Sequence, residues 1–360
     1  MNKFLKISFI NIIILILLIE FLSFFLIKIN FIPNGMSPSI ILNANEKFGY
    51  WHPKNTSFKI ATKCWESNVK FNNIGIKSNK EFKLTKKKER VAILGDSMTE
   101  NAQLNNEKDF TSKLQQLMPN FEIINFSVSS TGLADHINIY NRLIKKYDVD
   151  YIFYYVTYND FQDNHSSEIR PTRMAYEVIG NKVLEVNNDK SLFFKNYNSS
   201  WNRFKREKLI HIKKLSNFYK LYYYMRWEVE IFKFKKLEKK IKKNEFEQNI
   251  LFNEKKKVYK YLVDKANNEI FSQIPTLIFM NSDNINFINE TKEIVALKEI
   301  YRNYNFFDPR QEFIAYLKNN NNLKAPYLGY NCDAHYSELG AELLAQFTLK
   351  KFLSLNQSLK

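Results

Sequence analysis

Six consecutive residues, Tyr151-Ile-Phe-Tyr-Tyr-Val156, are aliphatic or aromatic with no polar residue between them. A strand with one wet face alternates apolar and polar residues. An unbroken run therefore needs cover on both faces, which parallel sheets obtain from helices packed above and below. Further strands are predicted at 91–95, 121–128, Thr276–Met280 and 304–307, and helices over 101–118, about 134–147 and 337–353. Strands alternating with helices predict an α/β fold: a doubly wound, flavodoxin-like parallel sheet in an α/β/α sandwich.

The first predicted strand runs into Gly95-Asp96-Ser97. In an open α/β sheet ligands sit beyond the carboxyl ends of the strands, so a hydroxyl at that turn is a candidate nucleophile. The same three residues also make an ordinary strand-to-helix turn with Asp or Ser as helix cap. Partners elsewhere must decide. Three further segments fall at such strand or helix ends: Asn125-Phe-Ser-Val-Ser-Ser-Thr-Gly132, Thr157-Tyr158-Asn159-Asp160, and Asp333-Ala334-His335 just before the last helix. Acyl transfer by serine needs a nucleophile, an imidazole base, a carboxylate to orient it, and donors aimed at the oxyanion.

Residues 7–27 are apolar apart from Asn11, Glu20 and two serines, and lie between Lys6 and Lys28. As a helix they cover about 31 Å, the thickness of a bilayer's hydrocarbon core. No small-residue cleavage site follows, so an uncleaved single-pass anchor at 1–28 is expected rather than a signal peptide. The lysines before the span point to a cytoplasmic amino terminus and an extracytoplasmic, periplasmic-side catalytic domain. Glu20 reads as a tolerated carboxylate in a lone anchor. Residues 29–89, with Pro33, Pro38 and Pro53, read as a tether and a mostly extended cover segment, with His52 structural. The remaining 90–357 form one domain, interrupted by a basic helical insertion at about 165–268.

Within that insertion Leu215, Phe218, Tyr222, Met225, Val229 and Phe232 recur at spacings of three and four. This is the seam of a helical arm, expected to pack on its own domain or on a second subunit, where a homodimer would form. Docking of the arm onto anionic lipid or glycan is the other reading. The 54 Lys and Arg exceed the 37 Asp and Glu, giving a net charge of +17. Such a surplus suits an anionic partner, but here it accompanies abundant Lys, Asn, Ile and Phe along the whole chain, and no nucleic-acid motif goes with it. Nucleic acid is therefore not an expected partner. Cys64 and Cys332 cannot form a four-ligand zinc site or a CxxC pair. No metal or other cofactor is expected. Asp135-His136 read as surface or crevice lining, Asp163 and His165 as residues of a solvated loop, and His211 as part of the basic arm.

Gly95-Asp96-Ser97, Asn159-Asp160 and Asp333/His335, in this order and at the ends of these elements, resemble the SGNH/GDSL hydrolase family. The similarity covers about 88–353 outside the insertion, and the anchor with Phe48-Gly49 and Asn73-Ile74-Gly75 looks like membrane-anchored members. The resemblance implies Ser97 as nucleophile, His335 as base and Asp333 as its orienting carboxylate. It implies an oxyanion hole from the Ser97 N–H, a backbone N–H of the second block and the Asn159 side-chain amide. Three positions depart from the pattern. Ser130 stands where glycine is usual, with Gly132 as the rival donor. Thr157 replaces another glycine. Asp333 and His335 are separated by one residue instead of two, which puts Cys332 at the strict orienting position. The shorter spacing looks like related enzymes that acetylate envelope polysaccharides.

The function implied is an esterase removing small acyl groups, such as acetyl, from an acylated small molecule or envelope glycan. The alternatives are an O-acyltransferase delivering the group to a sugar hydroxyl, and an inactive envelope scaffold. An exported domain would permit a Cys64–Cys332 disulfide pinning the cover segment beside the catalytic loop, with two free thiols as the other outcome.

Overall fold

The computed structural model describes residues 3–168, 174–186, 191–240, 245–281, 290–319, 329–330 and 333–358. Five strands form the central sheet: β3 (Glu89–Leu94), β4 (Phe121–Asn125), β5 (Tyr151–Val156), β6 (Thr276–Met280) and β7 (Phe306–Phe307). All pairs are parallel, in the order β7-β6-β5-β3-β4. Counted along the chain this is 2-1-3-4-5, the flavodoxin-like doubly wound order.

The unbroken apolar runs are explained by two separate cores. Ala92, Leu94, Ile152, Tyr154, Ile278 and Met280 face α4 (Leu133–Arg142), α8 (Glu245–Ala266) and α9 (Lys292–Ile300). Their neighbours Val91, Ile93, Phe153, Tyr155, Leu277 and Phe279 face α3 (Phe110–Leu117), α10 (Arg310–Asn319) and α11 (Glu338–Ser358). The α/β/α sandwich is thus the period-two alternation of each strand read against helices on both sides.

Several predicted elements are shorter. The helix expected over 101–118 begins only at Phe110, as α3; the turn before it is a separate short helix, α2 (Ser97–Glu100), which Asn101 ends by turning left-handed at φ 53°. Asp109 then opens α3 by accepting from the Ser112 N–H. The second strand ends at Asn125, where the chain leaves the sheet for the loop that carries Ser130. Asp135 and His136 are buried and do not line the surface. Asp135 accepts from the Gly132 N–H, and His136 Nε2 lies 2.9 Å from Thr131 Oγ1.

Ahead of the sheet, β1 (Thr56–Ala61) and β2 (Glu66–Phe71) form an antiparallel hairpin. It has its own small core of Ile41, Phe58, Ile60, Trp65, Val69 and Phe71. Arg90, buried at the start of β3, directs its guanidinium to the carbonyls of Lys83, Leu84, Thr85 and Tyr147 and to Glu122. That one side chain fastens the incoming segment to the sheet.

Helix α1 (Lys3–Lys28) is long and apolar enough to cross a membrane. The arm contains α6 (Leu209–Leu215) and α7 (Asn217–Lys240), divided at Ser216. The predicted seam does not pack on its own domain. Leu215, Met225 and Phe232 are 83%, 58% and 67% exposed.

Candidate active site

Asp96 and Ser97 sit at the carboxyl end of β3, where a tight turn starts α2. Gly95 is required there by space: a Cβ would stand 2.5 Å from Thr99 Oγ1 and 3.0 Å from Tyr155 O. Asp96 caps α2 through the Met98 N–H (3.0 Å) and accepts from Thr157 Oγ1 (2.9 Å). Burial pushes its carboxyl above the usual range although both hydrogen bonds work against that. Asn281, at the end of β6, donates to Thr99 Oγ1 (2.9 Å) and Thr157 Oγ1 (3.2 Å). A buried polar net thus locks the ends of β3, β5 and β6 into one floor, and Ser97, half-buried, stands on it as the first residue of α2. Its N–H, opening a helix, has no acceptor within that helix.

His335 comes from the short strand β8 (Asp333–Tyr336), which packs beside α2 and is tied to it by Asn101 Nδ2 donating to Tyr336 O (3.3 Å). Nδ1 of His335 is hydrogen-bonded to Asp333 Oδ1, which also accepts the His335 backbone N–H (3.1 Å). The other carboxylate oxygen, Oδ2, accepts the indole N–H of Trp65 (2.6 Å). Three donors thus converge on Asp333. Burial works to raise the Asp333 pKa, but the imidazole and these hydrogen bonds hold it below the ordinary carboxylate value. For His335 burial works to lower the pKa. The Asp333 hydrogen bond and charge, with Asp96 and Glu100 behind, hold it above the ordinary imidazole value. His335 Nε2 is buried and makes no hydrogen bond to Ser97 or to any other described residue.

The structure separates the two candidate second-block donors. Ser130 adopts φ 64°, a left-handed conformation that costs an L-residue about 1–2 kcal/mol and is the physical reason for glycine at such a position. Gly132 is extended at φ −121°, gives its N–H to Asp135 Oδ2 (3.1 Å), and has no room for a Cβ, which would lie 2.4 Å from Asn164 Oδ1. Glycine there serves close packing and a helix cap. The Asn159 amide, at the end of β5, reaches Asp96 Oδ2 (3.3 Å) and Asp163 Oδ2 (3.1 Å). Thr157 turns its hydroxyl to Asp96 and is buried in the floor.

Two further residues bear on the loop of Ser130. Glu100, fully buried on α2, accepts the backbone N–H and the hydroxyl of Ser129, each at 2.5 Å, through Oε2. Its Oε1 lies 3.0 Å from Nε2 of His52, whose Nδ1 lies 3.0 Å from Gly75 O. Burial works to raise the Glu100 pKa, and the His52 charge and the Ser129 bonds bring it below the ordinary value. The cover segment therefore reaches the site twice, through Trp65 and through His52. Neither contact had a sequence signal beyond His52 being a lone histidine in an aromatic stretch.

A cleft of about 360 Å³ opens beside Asp333, walled by Ala61 to Cys64 of the cover and by Tyr223, Tyr224 and Trp227 of α7. Cys64 is disulfide-bonded, and its expected partner Cys332 lies outside the described residues. No group of three or more His, Cys, Asp or Glu side chains among the described residues could hold a metal ion.

No protein-family model matches the chain, and no curated protein sequence does. Solved structures similar to it include a two-domain esterase active on acetylated mannans, at 11% identity and TM-score 0.40, covering 75% of this chain and 50% of that one. The lipase/acylhydrolase from Enterococcus faecalis is similar at 10% identity and TM-score 0.40, covering 73% and 94%. A catalytic mutant of an acetylxylan esterase from Geobacillus stearothermophilus is similar at 13% identity and TM-score 0.37, covering 73% and 93%. The chain spans half the length of the first of these. Likeness at this level carries no assignment, and the chemistry has to be argued from the chain's own residues.

Proposed function

We propose that this chain is a membrane-anchored serine esterase of the SGNH/GDSL type, with Ser97 as nucleophile, His335 as base and Asp333 as its orienting carboxylate. The observation that carries the proposal is the imidazole. One ring nitrogen is held by a carboxylate that takes two further donors, while the other is buried and unbonded on the strand beside the Ser97 helix. A histidine oriented this way is set up to take a proton at Nε2.

In the first half-reaction Ser97 Oγ attacks the ester carbonyl carbon and its proton passes to His335 Nε2. The tetrahedral intermediate collapses, the ester C–O bond breaks, and the leaving alkoxide takes the proton from Nε2. Water then attacks the acyl group on Ser97, gives a proton to Nε2, and releases the carboxylic acid as Ser97 regains its hydrogen. The developing oxyanion is met by the N–H groups of Ser97 and Ser130 and by the Asn159 amide, which trades its bond to Asp163 for the substrate oxygen. Gly132 is set aside as donor, because its N–H already serves Asp135. Catalytic hydrogen bonds that are open in a free enzyme tighten on substrate binding, which is the role assigned to the Ser97–His335 pair.

The acyl group is small, acetyl in the simplest case, the alcohol released is an envelope glycan, and the domain lies on the outer face of the membrane. The test is turnover of a chromogenic acetyl ester by the full chain in detergent beside Ser97→Ala. Turnover lost with the hydroxyl supports the esterase. Turnover equal in both refutes it. Transfer of acetyl to added oligosaccharide would move the assignment to an O-acyltransferase with the same covalent step.

A further inference from the structure

Glu20 lies in the apolar helix eight residues before Lys28, and it does not face lipid. Its carboxylate accepts from Ser216 Oγ, from the Asn217 N–H (2.9 Å) and from the Phe218 N–H (3.3 Å), so it caps the first turn of α7. Helices α1 and α7 pack on each other from there. The covered face of α1 carries Ile19, Glu20, Ser23, Leu26 and Ile27, whereas residues 4–18 are exposed apart from half-buried Ser8.

Residues 4–18, exposed on all sides, span about 22 Å at 1.5 Å each, and only the outward face, with Phe21, Leu22, Phe24 and Phe25, stays exposed beyond them. A hydrocarbon core of about 30 Å needs about 20 residues. With Phe4 at one boundary the other falls near Ser23. With Lys6 at the headgroups it falls near Leu26. In both placements Glu20, and the start of α7 that it caps, lie inside the boundary.

The side chains at the α6–α7 corner agree with that depth. Ile212, Leu215 and Phe218 are 63%, 83% and 46% exposed. The corner's lysines turn inward: Lys213 lies over the Tyr219 ring, and Lys214 donates to Ser57 O and lies over the Phe58 ring. A corner in water would be expected to point its charges out and its leucine in.

We infer that the α6–α7 corner is inserted into the bilayer beside α1, so that the chain holds the membrane by two elements. The occupant of the exposed face is the acyl-chain and headgroup boundary of the membrane that α1 crosses. The inference rests on α1 as a membrane span and not on the ester chemistry. It has a consequence for the site: the opposite face of α7, with Tyr223, Tyr224 and Trp227, walls the cleft beside Asp333 and would be held at a fixed height above the lipid.

The test uses the unreduced full chain in phosphatidylcholine/phosphatidylglycerol vesicles, with an environment-sensitive fluorophore at Leu215→Cys or, as a second variant, Ile212→Cys. Ile14→Cys reports α1 and Leu353→Cys, 49% exposed on α11, reports the water-facing body. Expected is quenching of the 215 and 212 labels by acyl-chain nitroxide lipid at least threefold above quenching by iodide, as for 14, with the order reversed at 353. Quenching at 215 and 212 by iodide as at 353 overturns the insertion. Shielding from both quenchers also overturns it, in favour of a second copy seated on the face. Loss of lipid quenching at 14 overturns the premise. Ester turnover of the same samples bears on the Ser97 chemistry alone.

Discussion

Replacing Asp333 by Asn leaves the shape of the site and changes its count of acceptors. Asp333 receives the Trp65 indole N–H on Oδ2, and the His335 backbone N–H and ring Nδ1–H on Oδ1. An amide has one oxygen for these two positions. With its oxygen toward His335, its NH2 is forced against the indole N–H. With its oxygen toward Trp65, its NH2 faces Nδ1, and the ring must carry its proton on Nε2, where it cannot accept one from Ser97. The shorter Trp65 contact favours the second arrangement, against the His335 backbone N–H, which the NH2 would then face. A wrong tautomer in such a triad costs about ten-thousandfold in kcat, or about 5.4 kcal/mol at 1.36 kcal/mol per decade.

Trp65→Phe removes the competing donor. Added to Asp333→Asn, it should let the amide oxygen return to Nδ1–H and recover at least tenfold in kcat, while Trp65→Phe alone costs less than about tenfold. Steady-state kinetics of the four proteins form a double-mutant cycle. The reasoning is refuted if Asp333→Asn loses less than tenfold, or if the double variant is no faster than Asp333→Asn.

Three further outcomes follow from the same geometry. In the proposed mechanism the neutral form of His335 is the base, and its pKa is held above the ordinary imidazole value, so activity should fall as pH drops through that raised value. Asp333→Asn removes the main raising contact and should move this acid limb of kcat/KM to lower pH. Ser130→Gly should keep kcat and stay within about 1 kcal/mol of the parent in stability, because it relieves the left-handed strain, while Ser130→Val should lose both, by denaturant unfolding and kinetics. Glu100→Gln breaks a pair buried at 1% and 0% side-chain exposure and loosens the Ser129 turn. A loss of about 3–5 kcal/mol in unfolding free energy is expected, against less than 1 kcal/mol if the pair behaves as an exposed one.

The sheet was legible because β3, β5 and β6 are apolar on both faces, which only a covered parallel strand tolerates. Ser97 and the Asp333–His335 pair could be singled out as candidates because each lies at an element end, and such positions show in a pattern of strands and helices. The helix expected over 101–118 differs at its start, where the left-handed Asn101 and the Asp109 cap delay it to Phe110; Phe110 and Leu114 are buried on it, while Leu117 is exposed. Choosing between Ser130 and Gly132 needed backbone angles, since glycine in a sequence does not say whether φ or lack of space demands it. Trp65 and His52 were beyond reach, because they join the site across 268 and 48 residues, and the period-two pattern of the hairpin beside them shows which residues are buried but not what they meet. The exposed seam at Leu215 and Phe218 misled because helical spacing shows that a face is apolar and leaves open whether protein or lipid covers it.

The most direct test of the ester chemistry is to react the full chain with a serine-directed phosphonate ester and locate the adduct by peptide mass spectrometry. A single adduct on Ser97, formed faster as pH rises through the His335 titration and absent after His335→Ala, is the outcome predicted. Labelling elsewhere, or ester turnover that persists in Ser97→Ala without any adduct, would contradict it.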